Sequence, residues 1–234
     1  MCGRFTLIAW DEIERRFLPA GSGMDMIRER FAGANPAPRY NIAPTQDVLT
    51  ITSDGESNTA RLMRWGLVPS WAKDISIGNR MINARAETLA ERPSFRSAFR
   101  RRRCLVVADS FYEWKRDGRK RAPMRISLES GELFGFAGLW ETWNGPDGRR
   151  ILSCAIITTA ANDFIAPIHD RMPVILPQGA EPMWLDPDIH DTYALSELLT
   201  PYPSDLMSAY EVSSVVNSAA NDAPECIAPV GRLL

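Results

Sequence analysis

Short apolar or alternating runs, each bounded by turn-forming residues, set the rhythm of this chain. Residues 62–68, 104–108, 111–114, 124–128, 133–139, 152–158 and 212–216 fit that description and read as β-strands. Helical periodicity is rarer. Trp10, Ile13 and Phe17 recur at helical spacing around Asp11 and Glu12, and Pro19 stops the run. Two more short helices are expected over 95–101 and around 193–199. Seventeen prolines and fifteen glycines are scattered through the sequence, which suits short elements joined by tight turns. Residues 21–38 mix Gly, Ala, Asn and Pro around a small charged patch and read mostly as a loop excursion. The pattern predicts an α+β fold: a single domain over 1–234, dominated by curved antiparallel sheet with a barrel-like core and a few short helices.

Composition narrows the class. With 234 residues, 45% of them hydrophobic, the chain can bury one sizeable core, and one domain is the better prior than two. Seven Trp, nine Phe and a near balance of 27 basic against 29 acidic residues exclude global disorder. No apolar run approaches the roughly 18 residues of a membrane span, and no charged-then-apolar leader opens the sequence. A soluble, cytoplasmic, monomeric protein with no membrane partner is expected. The four cysteines (Cys2, Cys104, Cys154, Cys226) are far apart and form no Cys-x-x-Cys, and there are only two histidines, His169 and His190. Neither a disulfide scaffold nor a Cys/His zinc site is expected, so the chemistry should need no metal and no cofactor.

Charge is balanced overall but uneven locally. Arg96 and Arg100 to Arg103 form a dense basic run, with Arg61, Arg64, Arg80 and Arg85 upstream. Such a run is either a solvated helical face or an anion-binding face suited to phosphate, and pattern alone leaves both open.

Cys2 carries the most distinctive chemistry. Once Met1 is removed, it presents an amine and a thiol on adjacent carbons. An α-amine titrates near ~7.7–8.0, against ~10.4 for lysine, so a useful fraction is nucleophilic at neutral pH. It can condense with an aldehyde to a Schiff base. The neighbouring thiol can then close a five-membered thiazolidine, helped by an effective molarity on the order of 10⁵ M. Taken alone, Cys2 fits an incidental cysteine at a frayed end equally well. Other stretches also offer reactive groups. Asn83-Ala84-Arg85-Ala86-Glu87-Thr88 sets an amide, a cation and an acid close together. Phe111-Tyr112-Glu113-Trp114 places a carboxylate among aromatics, where burial would raise its pKa and suit it to proton transfer, unless it faces solvent on an edge strand. His169 lies beside Asp170 in a loop framed by Pro167 and Pro173. Trp65 and Trp71 flank a Gly/Pro turn and are either core residues or a stacking platform for unpaired bases.

In order along the chain stand Cys2-Gly3-Arg4-Phe5, Tyr40-Asn41-Ile42-Ala43-Pro44, Trp65-Gly66 with Pro69, and Asn83-Ala84-Arg85 with Glu87-Thr88. Phe111-Tyr112-Glu113-Trp114-Lys115, Thr158-Thr159-Ala160-Ala161 and Ile168-His169-Asp170-Arg171-Met172-Pro173 follow. Each is short, but the ordered set resembles the SRAP family, the SOS-response-associated peptidases, also described as abasic-site processing proteins. The resemblance implies a partner: single-stranded DNA containing abasic sites, whose ring-opened sugar exposes an aldehyde. It implies that Cys2 supplies amine and thiol for a covalent crosslink, that Asn83 positions the Cys2 region, that Glu113 shuttles protons, and that His169 holds or protonates the sugar oxygen. It further implies that Arg4 and Arg85 lie near the DNA backbone, that Pro44, Trp65 and Trp71 sit where the strand bends and stacks, and that Met1 is self-removed. Two other readings stand beside this one, the first on the same residues. One is an N-terminal-nucleophile cysteine peptidase or amidase, in which the Cys2 amine serves as base. The other is a non-catalytic single-strand binder relying on Arg and Trp alone.

Overall fold

The computed structural model describes residues 2–18, 24–30, 37–118 and 120–230. In chain order its elements are β1 (Phe5–Leu7), α1 (Ile13–Phe17), α2 (Met24–Arg30), β2 (Arg39–Ile42), β3 (Asp47–Ser53), β4 (Asn58–Trp65), β5 (Asn83–Arg85), α3 (Arg96–Arg101), β6 (Arg103–Ala108), β7 (Ser110–Asp117), β8 (Lys120–Leu128), β9 (Phe134–Asn144), β10 (Arg150–Ala160), β11 (Arg171–Pro173), α4 (Glu181–Leu185), α5 (Thr192–Glu197) and β12 (Met207–Glu211). Short 3-10 turns link several of them.

Five strands close a barrel. The order β10–β4–β3–β6–β9 returns to β10, because β10 pairs antiparallel with β9 and parallel with β4 at Cys154↔Trp65. Closure removes the sheet edges that would otherwise need protection. A second sheet runs β12–β8–β7–β1–β2, with the N-terminal strand β1 between β7 and β2. The two parallel junctions, β10 with β4 and with β5, depart from the expected antiparallel arrangement.

Aromatic side chains join the two layers. Phe5 of β1 packs edge-on against Trp65 at 5.1 Å and Phe136 at 5.9 Å, while Phe111 and Phe134 meet the same Phe136 ring. All five rings are buried. Polar groups pin β1 as well. Thr6 hydrogen-bonds the Asp109 carboxylate and the Ser110 hydroxyl, the Ile8 amide donates to Asp109 at 2.5 Å, and Arg125 Nε donates to Ser110 Oγ at 2.8 Å. A strand only three residues long is thereby held rigidly enough to aim the residues that precede it.

Most expected elements form, with instructive exceptions. The early helix splits into a 3-10 turn over Trp10–Glu12 and α1, each burying one face. Residues 212–216 are not a strand. Ser213 accepts the Val215 amide and opens a 3-10 turn over Ser214–Asn217, which buries Val216 and leaves Val215 exposed. Within the expected excursion over 21–38, Met24–Arg30 is helical and buries Met24 and Ile27. Pro19 and the rest of that excursion up to residue 36 lie outside the described residues. The basic run divides too. Arg103 is buried, donating to the carbonyls of Trp184, Phe99, Arg100 and Asp186, and Arg102 pairs with Glu141 at 2.7 Å. Arg96, Arg100 and Arg101 remain exposed, so the five do not form one anion-binding face. No described helix is long and apolar enough to cross a membrane.

Candidate active site

Cys2 lies immediately ahead of β1 and is completely buried. The register Phe5↔Phe111 between β1 and β7 brings Glu113, two residues further along β7, into its neighbourhood. Asn83 arrives from elsewhere. It opens β5, which pairs in parallel with β10 through Asn83↔Ile156, and its Nδ2 donates to the Cys2 carbonyl at 2.8 Å. Asn83 Oδ1 is buried and, among the described residues, accepts no hydrogen bond. An unfilled acceptor beside the Cys2 backbone suits an incoming N–H.

Glu113 is only 3% exposed. Burial pushes its carboxyl above the usual carboxylate range, against the pull of nearby positive charge that includes His169. The Cys2 thiol is pushed well up in turn, first by burial and then by the Glu113 charge, so it stays protonated at rest. Thiol, carboxyl and imidazole thus influence one another.

His169 is positioned by its loop. Asn162 caps the turn, accepting from the Ile165 amide at 2.9 Å, and the His169 amide donates to Ile165 O at 2.9 Å. The ring nitrogen Nδ1 accepts the Arg171 amide at 3.0 Å, which places the proton of the neutral ring on Nε2. Asp170 Oδ1 stands 2.9 Å from the same Nδ1, so the charged ring also finds a partner. Arg171 ties that loop to β5's end through a two-pronged pair with Glu87 at 2.5 and 3.0 Å and a bond to Thr158 O at 2.6 Å. Glu87's carboxyl is lowered chiefly by that pairing.

An open cleft of about 540 Å³ is lined by Glu113, Trp114 and Arg116 of β7, Arg121 of β8, and His169 and Asp170 of the loop ahead of β11. Asn83 thus touches Cys2, Cys2 neighbours Glu113, and Glu113 and His169 line the cleft, whereas Cys2 and Asn83 lie behind it, outside its lining. No group of His, Cys, Asp and Glu among the described residues could hold a metal ion.

The chain matches the family model described as "SOS response associated peptidase (SRAP)" over residues 1–219. It belongs to the SRAP family. Among its relatives, the abasic site processing protein YoqW of Bacillus subtilis (strain 168) is 51% identical over 229 residues, covering 97% of this chain and 99% of the relative. The abasic site processing protein HMCES of Rattus norvegicus is 33% identical and longer; the match covers 84% of this chain and 66% of that protein. A crystal structure of a Bacteroides thetaiotaomicron protein superposes with a TM-score of 0.86 at 25% identity, covering 98% of this chain and all of the other. A Bordetella bronchiseptica protein gives 0.73 at 26% identity, covering 91% and 100%.

The residues expected at the DNA divide in this SRAP structure. Trp71 is 60% exposed and walls a shallow groove of about 300 Å³ together with Lys73 and Arg80. Pro44 is half-buried in the turn after β2, whose Thr45 amide donates to Trp65 O at 2.8 Å. Arg85 is exposed. Arg4 donates to Asn41 Oδ1 and Val216 O, both at 2.9 Å, and to Asn217 O at 3.3 Å; no described carboxylate neutralises it. Trp65 departs from the expectation. It is fully enclosed, with Nε1 donating to Ile82 O at 2.9 Å, and has no face for a base. Of the two uses open to it, it takes the core one, as backing for Phe5.

Sequence reasoning passed over Trp114 as a lining residue of the cleft, and Arg116 and Arg121 altogether. The signal was available: five basic residues fall within 115–121 around Asp117-Gly118, a strong hairpin dipeptide.

Proposed function

We propose that this SRAP protein binds single-stranded DNA and captures abasic sites covalently through Cys2. The supporting observation is the run of neighbours from Asn83 to Cys2, Cys2 to Glu113 and Glu113 to His169, the last two lining one open cleft. The names of the relatives point the same way. Hydrolysis of the Met1–Cys2 peptide bond, an autocatalytic step in this reading, frees the Cys2 amine; water supplies the hydroxyl of the released methionine and the proton of the new amine.

The neutral amine then adds to the sugar aldehyde carbon, one of its two protons passing to the carbonyl oxygen to make the carbinolamine hydroxyl, and Glu113 receives the second nitrogen proton as the imine forms. The same carboxyl returns it to the departing hydroxyl, which leaves as water and gives the imine. A carboxyl raised by burial suits both directions of transfer. Next, the thiol sulfur bonds to the imine carbon while its proton ends on nitrogen, closing the thiazolidine with no oxidant or reductant. Because the Cys2 thiol is held protonated, Glu113 is the base that activates it. The Nε2–H of neutral His169 holds the sugar oxygen released on ring opening. Asn83 fixes the Cys2 carbonyl and offers its unfilled Oδ1 to the amine. Arg4, Arg85, Pro44 and Trp71 line the strand's path, with Trp71 as the stacking surface.

Intact-mass analysis of the purified chain, alone and after incubation with an abasic oligonucleotide, tests this directly. The expected result is loss of Met1 and a one-to-one adduct lighter than the sum of its parts by one water. Cys2→Ala should leave at most a borohydride-trappable imine. Normal, reductant-free crosslinking by Cys2→Ala, or an adduct with intact DNA, would refute the proposal.

A further inference from the structure

The β7–β8 hairpin raises a question that the reacting residues do not answer. Arg116 and Arg121 lie directly opposite each other across this antiparallel pair, and both are exposed. Like charges in that position destabilise a sheet, and exposed strand pairs ordinarily set opposite charges there. Several other arginines meet a carboxylate, as Arg16 meets Glu181, Arg39 Asp222, Arg102 Glu141 and Arg171 Glu87. Among the described side chains, Arg116 and Arg121 have no carboxylate partner. The acid lining the same cleft, Asp170, lies against His169 instead. Both arginines line the cleft that Glu113 lines, as does Trp114, whose Nε1 donates to Asn217 Oδ1 at 2.7 Å.

We infer that Arg116 and Arg121 form a seat for the phosphodiester flanking the captured sugar, making the β7–β8 hairpin an arm that sets the strand's register over the cleft. This rests on the reading of Glu113 and His169 as the reacting site. A sugar held between those two residues has its flanking phosphates within a nucleotide's reach of the two arginines, and about 540 Å³ is room for one nucleotide. Arginine's planar fork suits a phosphate's paired oxygens, and an anion between the two side chains converts their mutual repulsion into joint attraction.

The test separates binding from chemistry by using a single-stranded oligonucleotide with a tetrahydrofuran abasic analogue, which has no aldehyde. Arg116→Ala/Arg121→Ala should weaken its binding roughly tenfold, as removal of a charge-assisted hydrogen bond does. The slope of log affinity against log salt should shrink by about 0.7 for each phosphate that the variant no longer neutralises. Replacing single flanking linkages with neutral methylphosphonates should weaken the wild type at one position and leave the double variant unaffected there. The free double variant should melt no lower than the wild type, since a repulsive pair is gone. Equal affinity of variant and wild type, or an equal methylphosphonate penalty in both, would overturn the inference. Should the wild type bind through these arginines yet never crosslink, the phosphate seat would stand and the reading of the reacting centre would fall.

Discussion

Glu113→Gln tests the proton-transfer role most sharply, because it should change rate and stability in opposite directions. Glu113 is 3% exposed, and burial raises its carboxyl above the usual range against the pull of nearby positive charge. Glutamine keeps the shape and removes the charge. General acid–base catalysis contributes about 10²–10⁴-fold, so the crosslinking rate of protein lacking Met1 should fall by that order. Stability should rise. Removing a buried, partly compensated charge returns on the order of 1 kcal/mol, and each kcal/mol moves the melting point of a chain this size by about 2–4 °C.

The pH dependence fixes the sign. Burial raises the folded carboxyl above its ordinary value of 4.5, so the folded state binds this proton more tightly than the unfolded state does. The ionised carboxylate therefore costs stability, fully so above the raised folded value and not at all below about 4.5. Melting curves of the two proteins should coincide in acid and separate as pH rises, with the glutamine variant the more stable. Over the same interval the wild-type crosslinking rate should climb as Glu113 ionises, while the variant follows only the α-amine near ~7.7–8.0. A glutamine variant that crosslinks at the wild-type rate, or that melts lower at neutral pH, would refute the role assigned to Glu113.

Two further perturbations probe how the site is held. Asn83→Ala should slow crosslinking by roughly tenfold through loss of one hydrogen bond to the Cys2 backbone, with little change in binding of the tetrahydrofuran oligonucleotide; stopped-time gel assays and anisotropy read the two effects apart. Gly66→Ala should destabilise the fold, because Gly66 has φ +128° and a Cβ there would lie 2.6 Å from Gly78 O; thermal melting should show the loss, and Trp71 fluorescence quenching by single-stranded DNA should weaken with it.

The candidate residues are noticeable in the sequence because each sits in a short motif whose chemistry needs no long-range partner: a leading amine beside a thiol, a carboxylate among aromatics, a histidine framed by prolines. Which of them are neighbours is less visible. Asn83 reaches Cys2 only because a three-residue strand, β5, pairs in parallel with β10, an association of segments more than seventy residues apart. Trp65 was ambiguous for the same reason. A tryptophan beside a Gly/Pro turn reads equally well as a base platform or as core until Phe5 and Ile82 are brought against it. The arginines show the converse failure. The dense run at 100–103 draws attention by number, yet Arg103 directs its charge at four backbone carbonyls and Arg102 is neutralised by Glu141. The sparser pair at 116 and 121 becomes notable only through register, which sets the two side chains directly opposite each other. For a strand-rich fold, local pattern identifies which residues can do chemistry, whereas pairing register decides which charges are already satisfied and which remain for a ligand. Arg116 and Arg121 belong to the second group, and the phosphate of a bound strand is the partner their placement calls for.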